Sequence, residues 1–127
     1  MIPAAAKLFI LLGSINAMLA VMLGAFGAHG LKKTLTPEML AVFATGVQYH
    51  FYHALGLIAV GLMAANLSAT LQLKLAGWFM FAGIVVFSGS LYLLAVTGVR
   101  WLGAITPIGG VCFIVAWAML ALAVYRL

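Results

Sequence analysis

The chain has 127 residues, of which 68% are hydrophobic and 6% charged, with a formal net charge of +5. Such a composition cannot cover a water-soluble globule, and six scattered cations beside one carboxylate side chain form no concentrated basic face for nucleic acid. Lipid is the expected solvent, and the lipid bilayer the first expected partner.

Four apolar runs reach the roughly 20 residues that a helix needs to cross about 30 Å of hydrocarbon: Leu8 to Ala28, Val47 to Ala65, Leu75 to Val96 and Ile105 to Tyr125. They are continuously apolar, whereas barrel strands would alternate. The expected fold is therefore all-α: one domain over residues 1–127, an antiparallel four-helix transmembrane bundle in a multi-pass protein.

The first run follows Lys7 and is long for a signal core, so it is read as an uncleaved span. It carries Gly13, Ala17, Ala20, Gly24 and Ala28, the last three forming a ridge of small residues that would let backbones approach closely, within one chain or in a homo-oligomer. Asn16, well inside the run, is expected to make an interhelical hydrogen bond worth roughly 1 kcal/mol.

A short basic connector, Leu31 to Thr36, precedes a helix start with a reason at each position. Thr36 can cap free N–H groups, Pro37 has no N–H to lose, and Glu38 suits the positive end of the helix dipole. From Pro37 to Ala65 is too long for one perpendicular crossing, so the first turns should tilt, lie at the interface or project from it. Within this helix His50 and His53 are three apart and share a face.

Asn66 to Gln72 reads as a polar turn before the third run, where Gly77, Ala82, Gly83 and Gly89 are close-approach positions. Thr97, Gly98 and Arg100 end it, and Thr106–Pro107 repeats the earlier Thr-Pro start, so a duplicated hairpin is conceivable. Cys112, the single cysteine, allows no internal disulfide and reads as a packing residue.

If the runs zigzag, the end of the first, the start of the second, the end of the third and the start of the fourth meet at one membrane face. That face collects a candidate polar pocket of His29, Tyr49, His53, Ser88, Ser90, Tyr92 and Thr106, with His50 and Gln48 nearby. Taken singly, each residue suits packing, an interface belt or a bond to its own helix. Together they point to a non-enzymatic bundle binding a small ligand, a lipid headgroup or a partner helix. One alternative is an oligomeric transporter or channel for protons or small solutes, since ionisable groups within a membrane are functional suspects. A second is metal or haem binding through the histidines, whose spacing permits it. No carboxylate lies within a span and no paired-cysteine motif occurs, so no metal ligand set, catalytic residue or cofactor is named, and an enzyme is the least supported class.

Orientation is nearly balanced: Lys7, Lys74 and Arg126 lie on one side, Lys32, Lys33 and Arg100 on the other. The α-amino group tips the expectation toward both termini being cytoplasmic.

Four ordered motifs carry a resemblance over almost the whole chain: GAFGAHGL from Gly24 to Leu31, YHFYHALGLI from Tyr49 to Ile58, FSGSLYLLA from Phe87 to Ala95 and ITPIGG from Ile105 to Gly110. Together they resemble the small YgdD-like membrane-protein family called domain of unknown function 423. The resemblance implies a four-span protein of the bacterial inner membrane and carries no activity, substrate or cofactor with it. It matches the seven pocket positions but commonly has glutamine where this chain has His50.

Overall fold

The computed structural model describes residues 1–127, which form helices joined by short turns. Helix α1 spans Ala4–His29, α2 Pro37–Asn66, α3 Leu71–Gly83, α4 Gly89–Thr97 and α5 Thr106–Tyr125. A π-helical segment, Ile84–Ser88, joins α3 to α4 without a break, and a 3₁₀ turn, Arg100–Ala104, leads into α5. The stretches Ala4–His29, Leu71–Thr97 and Arg100–Tyr125 are long and apolar enough to cross a membrane. Helix α2 has the length, at 30 residues, but its glutamine and histidines make it less apolar.

Close contacts fix the topology. Gly27 lies against Phe43, Gly24 against Val47, Gly13 against Ala54 and Ile58, and Gly61 against Ala6 and Ile10, so α1 and α2 run antiparallel along their whole length. Gly56 faces Met80 and Gly46 faces Tyr92, which sets the third span antiparallel to α2. Gly83 on Phe113 and Gly109 on Phe87 do the same for α5. The result is an up-down-up-down bundle that carries the less apolar α2 through the same thickness as the other three.

Helix ends follow local chemistry. The Thr36 hydroxyl accepts from the Met39 N–H at 3.2 Å with Pro37 at the first helical position. Thr70 caps α3 in the same way, accepting from Leu73. Thr106 does not cap α5: it is helical itself, because the 3₁₀ turn feeds directly into the helix, and its hydroxyl bonds elsewhere. Gly98, at φ 73°, closes α4 in the left-handed conformation that glycine adopts without a Cβ clash. Arg100 and Glu38 lie 3.8 Å apart, placing the start of α2 and the last connector at one end of the bundle. Both side chains are exposed, so the pair contributes little energy.

Burial along α1 recurs every seven residues at Ala6, Gly13, Ala20 and Gly27, with Phe9 and Asn16 between them. That stripe, rather than a ridge through Gly24 and Ala28, is the close-packed face, and Ala28 is exposed. Heptad spacing keeps small residues on the seam between two helices that wrap gently around each other. The main core joins Ala6 and Phe9 to Leu57, Val60, Leu73, Met80, Ile84, Phe113 and Ala116.

Candidate functional site

The π segment organises the polar groups of the third span. Before it, Leu73, Ala76, Gly77, Met80 and Gly83 are buried, whereas from its last residue onward the buried positions are Ser88, Ser90, Leu91 and Ala95. A continuous α-helix would have carried the buried face on through Phe87 and Leu94; the wider π turn absorbs one residue and rotates α4 accordingly. Three contacts hold the segment. The Ser88 hydroxyl donates to the Gly46 carbonyl of α2 at 2.8 Å. Ser90 donates to the Phe87 carbonyl at 2.9 Å and pairs with the Thr106 hydroxyl of α5 at 2.6 Å. Gly109 brings its bare Cα against the Phe87 backbone.

A second set of bonds crosses α1, α2 and α4. His50 Nε2 lies 2.9 Å from Asn16 Oδ1, and His50 Nδ1 lies 2.8 Å from the Tyr92 hydroxyl. The donor directions follow from the far end. Asn16 Nδ2 donates to the Leu12 carbonyl at 2.8 Å, so Oδ1 faces His50 as an acceptor. Nε2 of a neutral His50 therefore carries the proton, and Nδ1 accepts from Tyr92. The chain runs one way, Tyr92 to His50 to Asn16 to Leu12, stepping from α4 through α2 to α1 and ending on a backbone carbonyl.

His53 takes the opposite tautomer. Its Nδ1 lies 2.7 Å from the Tyr49 carbonyl, which can only accept, and its Nε2 accepts from Trp117 Nε1–H at 3.0 Å. The ring stacks on Phe113 with centroids 3.5 Å apart and planes 9° from parallel. Around this pair, Tyr49, Tyr52, Phe87, Gly110, Phe113, Ile114 and Trp117 border an open cleft of about 500 Å³ between α2 and α5. Tyr52 and Trp117 keep 50% and 45% of their surface exposed, so the cleft opens sideways toward lipid.

The seven residues singled out in the sequence thus occupy several places. Tyr49 and His53 meet at the aromatic cleft. Ser90 and Thr106 form one pair, Ser88 bonds to the α2 backbone, and Tyr92 bonds to His50. His29 is exposed at the end of α1, level with about residue 41 of α2, so roughly 18 Å of helix separates it from His53 along the bundle axis. No side-chain nitrogen or oxygen buried from solvent lacks a hydrogen-bond partner. His50 and Asn16 belong to the polar network as fully as the chosen residues. The signal that could have found them together is their burial phase, since each lies on its own helix's heptad stripe.

Comparison with known proteins places the chain. The family described as "Protein of unknown function (DUF423)" matches residues 23–110. The UPF0382 membrane protein YwdK of Bacillus subtilis is 58% identical over 120 residues, covering 94% of this chain and 98% of the relative. A UPF0382 membrane protein of Staphylococcus saprophyticus is 50% identical over 95% of this chain and 99% of its own length, and one of Staphylococcus epidermidis is 51% identical over 94% and 97%. No solved structure matches. The chain belongs to the DUF423 family of membrane proteins.

Proposed function

We propose that this DUF423 member is a non-enzymatic, multi-pass protein of the bacterial plasma membrane, with both termini cytoplasmic, that takes a small apolar, ring-bearing molecule from the bilayer into the cleft between α2 and α5. One observation carries the reading: this cleft is where sequence-singled polar residues, Tyr49 and His53, border an open space together with Phe87 of the π segment. Of the other singled-out residues, Ser88, Ser90, Tyr92 and Thr106 are closed into bonds between helices, and His29 lies exposed at the end of α1. Aromatic walls at Tyr49, Phe87, Phe113 and Trp117 favour offset or edge-to-face contact with a ring, and π segments often occur at functional sites. The His53–Trp117 bond holds both rings in place, so the cleft is formed before anything enters. A relay for transport finds less support, because the Tyr92–His50–Asn16 chain ends on the Leu12 backbone carbonyl, which accepts a hydrogen bond and has no proton to pass on.

Trp117 reports on occupancy. In a Trp78→Phe, Trp101→Phe background, a brominated aromatic compound is expected to quench Trp117 emission saturably, and a brominated alkane only in linear proportion to its concentration. Gly110→Leu, which places a side chain in the cleft, should remove the saturation while leaving the helical content unchanged. Linear quenching of the unsubstituted cleft by both compounds would refute the reading.

A further inference from the structure

At the other edge of α2, away from the aromatic cleft, the first hairpin carries a groove. Gly24, Gly27 and Ala28 of α1 and Leu40, Phe43, Ala44 and Val47 of α2 line about 480 Å³ of open space beside the line where the two helices touch, with Lys32 of the connector at its mouth. Through Gly24 and Val47 the groove continues into a second, shallower depression reaching Ala20 and Phe51. Its walls are apolar and its one charged lining residue is a lysine at the membrane-surface end.

Charge at this end of the bundle is unbalanced. Glu38 is the chain's sole acidic side chain, and it faces Arg100 in the only ion pair between side chains. Lys32 and Lys33 have no acidic partner. An apolar channel ending at unpaired ammonium groups matches the chemistry of one molecular class, an anionic phospholipid with an acyl chain in the groove and its phosphate on Lys32. Dimensions favour a single chain over a helix. Spread over about 12 Å of helix length, a volume of 480 Å³ gives a cross-section of about 40 Å², half or less of that of a helix about 10–12 Å across. A second copy of the protein would also bring a second set of lysines to the same face.

We infer that the groove between α1 and α2 is a specific site for an anionic phospholipid, with Lys32 as its headgroup ligand. The inference does not depend on the aromatic cleft, which lies on a different pair of helices and bears no charged residue.

Native mass spectrometry of the full chain, titrated with phosphatidylglycerol or phosphatidylcholine of identical acyl chains, tests the assignment. The expected result is a first phosphatidylglycerol bound about fivefold more tightly than phosphatidylcholine, the size of effect one lysine exerts at an anionic surface. Lys32→Gln should erase that preference, while Lys7→Gln, at the opposite end of the bundle, should leave it intact. Ala44→Leu, an exposed position whose larger side chain would fill the groove, should weaken binding of both lipids at the first site; Ala28→Leu provides a second groove-filling variant should the first fold poorly. Equal affinity for the two lipids would overturn the proposal. So would a preference that survives Lys32→Gln, falls equally with Lys7→Gln, or is untouched by filling the groove, since each of these would mean diffuse attraction to a basic surface.

Discussion

Gly109→Ala is expected to destabilise the bundle by about 3 kcal/mol, the upper end of the usual cost of overpacking. A methyl group there would overlap the Phe87 backbone nitrogen and sit 2.7 Å from the Phe87 Cα. Backbone atoms cannot rotate aside as a flexible side chain can, so either α5 moves outward or the π segment changes shape. Both responses pull on the Ser90–Thr106 pair and the Ser88–Gly46 bond. Unfolding by titration with sodium dodecyl sulfate measures the loss. Gly89→Ala supplies the internal contrast: nothing lies within 4 Å of a Cβ built at Gly89, and its backbone is helical. Alanine there should be neutral or stabilising by about 0.5–1 kcal/mol, because it removes glycine's extra backbone entropy from the unfolded chain. Two glycines in neighbouring motifs are thus expected to respond in opposite directions.

His50→Leu is the second large effect, expected to cost about 2 kcal/mol. It leaves Asn16 Oδ1 without its donor and the Tyr92 hydroxyl without its acceptor, and a stranded polar group costs about 1–3 kcal/mol in a low-dielectric interior. The net value of the bonds themselves is smaller, since hydrogen bonds between membrane helices average about 0.6 kcal/mol and reach about 1.7. His50→Gln should therefore fall within about 0.5 kcal/mol of the parent, because a glutamine amide offers one donor face to Asn16 and one acceptor to Tyr92. That substitution is the one the family resemblance carries at this position, and the geometry gives it a physical reason. A double-mutant cycle between Asn16→Leu and His50→Leu should show coupling of about 1 kcal/mol; additivity would mean that the two side chains do not bond.

Much of the fold was legible because apolar length and helix-start chemistry are local. The Thr36–Pro37–Glu38 start, the glycine end at Gly98, and the interhelical bond from Asn16 all follow from residues read in place. The candidate site was less legible, for two physical reasons. Partner choice depends on helix rotation: nothing in the order of residues says that His50 turns to Asn16 and Tyr92 while His53, one turn later, faces Trp117. The π segment then shifts that rotation midway through the third span. One extra residue in a turn leaves an apolar run looking uninterrupted, yet it decides that Ser88, and not Phe87, is fully buried and bonds to the α2 backbone. Thr106 illustrates the same limit on a smaller scale. Thr-Pro reads as a cap, but the preceding 3₁₀ turn already supplies the backbone bonds, which frees the hydroxyl to meet Ser90.

Hydrogen-bond partners set the two neutral histidines in opposite tautomers, His50 through Asn16 of α1 and His53 through the Tyr49 carbonyl of its own helix and Trp117 of α5, and this is what binds the fold to the proposed cleft. Solid-state nitrogen-15 spectra of the histidine-labelled protein in lipid bilayers at neutral pH read the ring protons directly. The expected spectra show His50 protonated on Nε2 alone and His53 on Nδ1 alone, with Trp117→Phe shifting the Nε2 resonance of His53 and leaving His50 unchanged. Finding the two rings in the same tautomer, or His53 carrying both protons, would contradict the arrangement of helices on which the cleft depends.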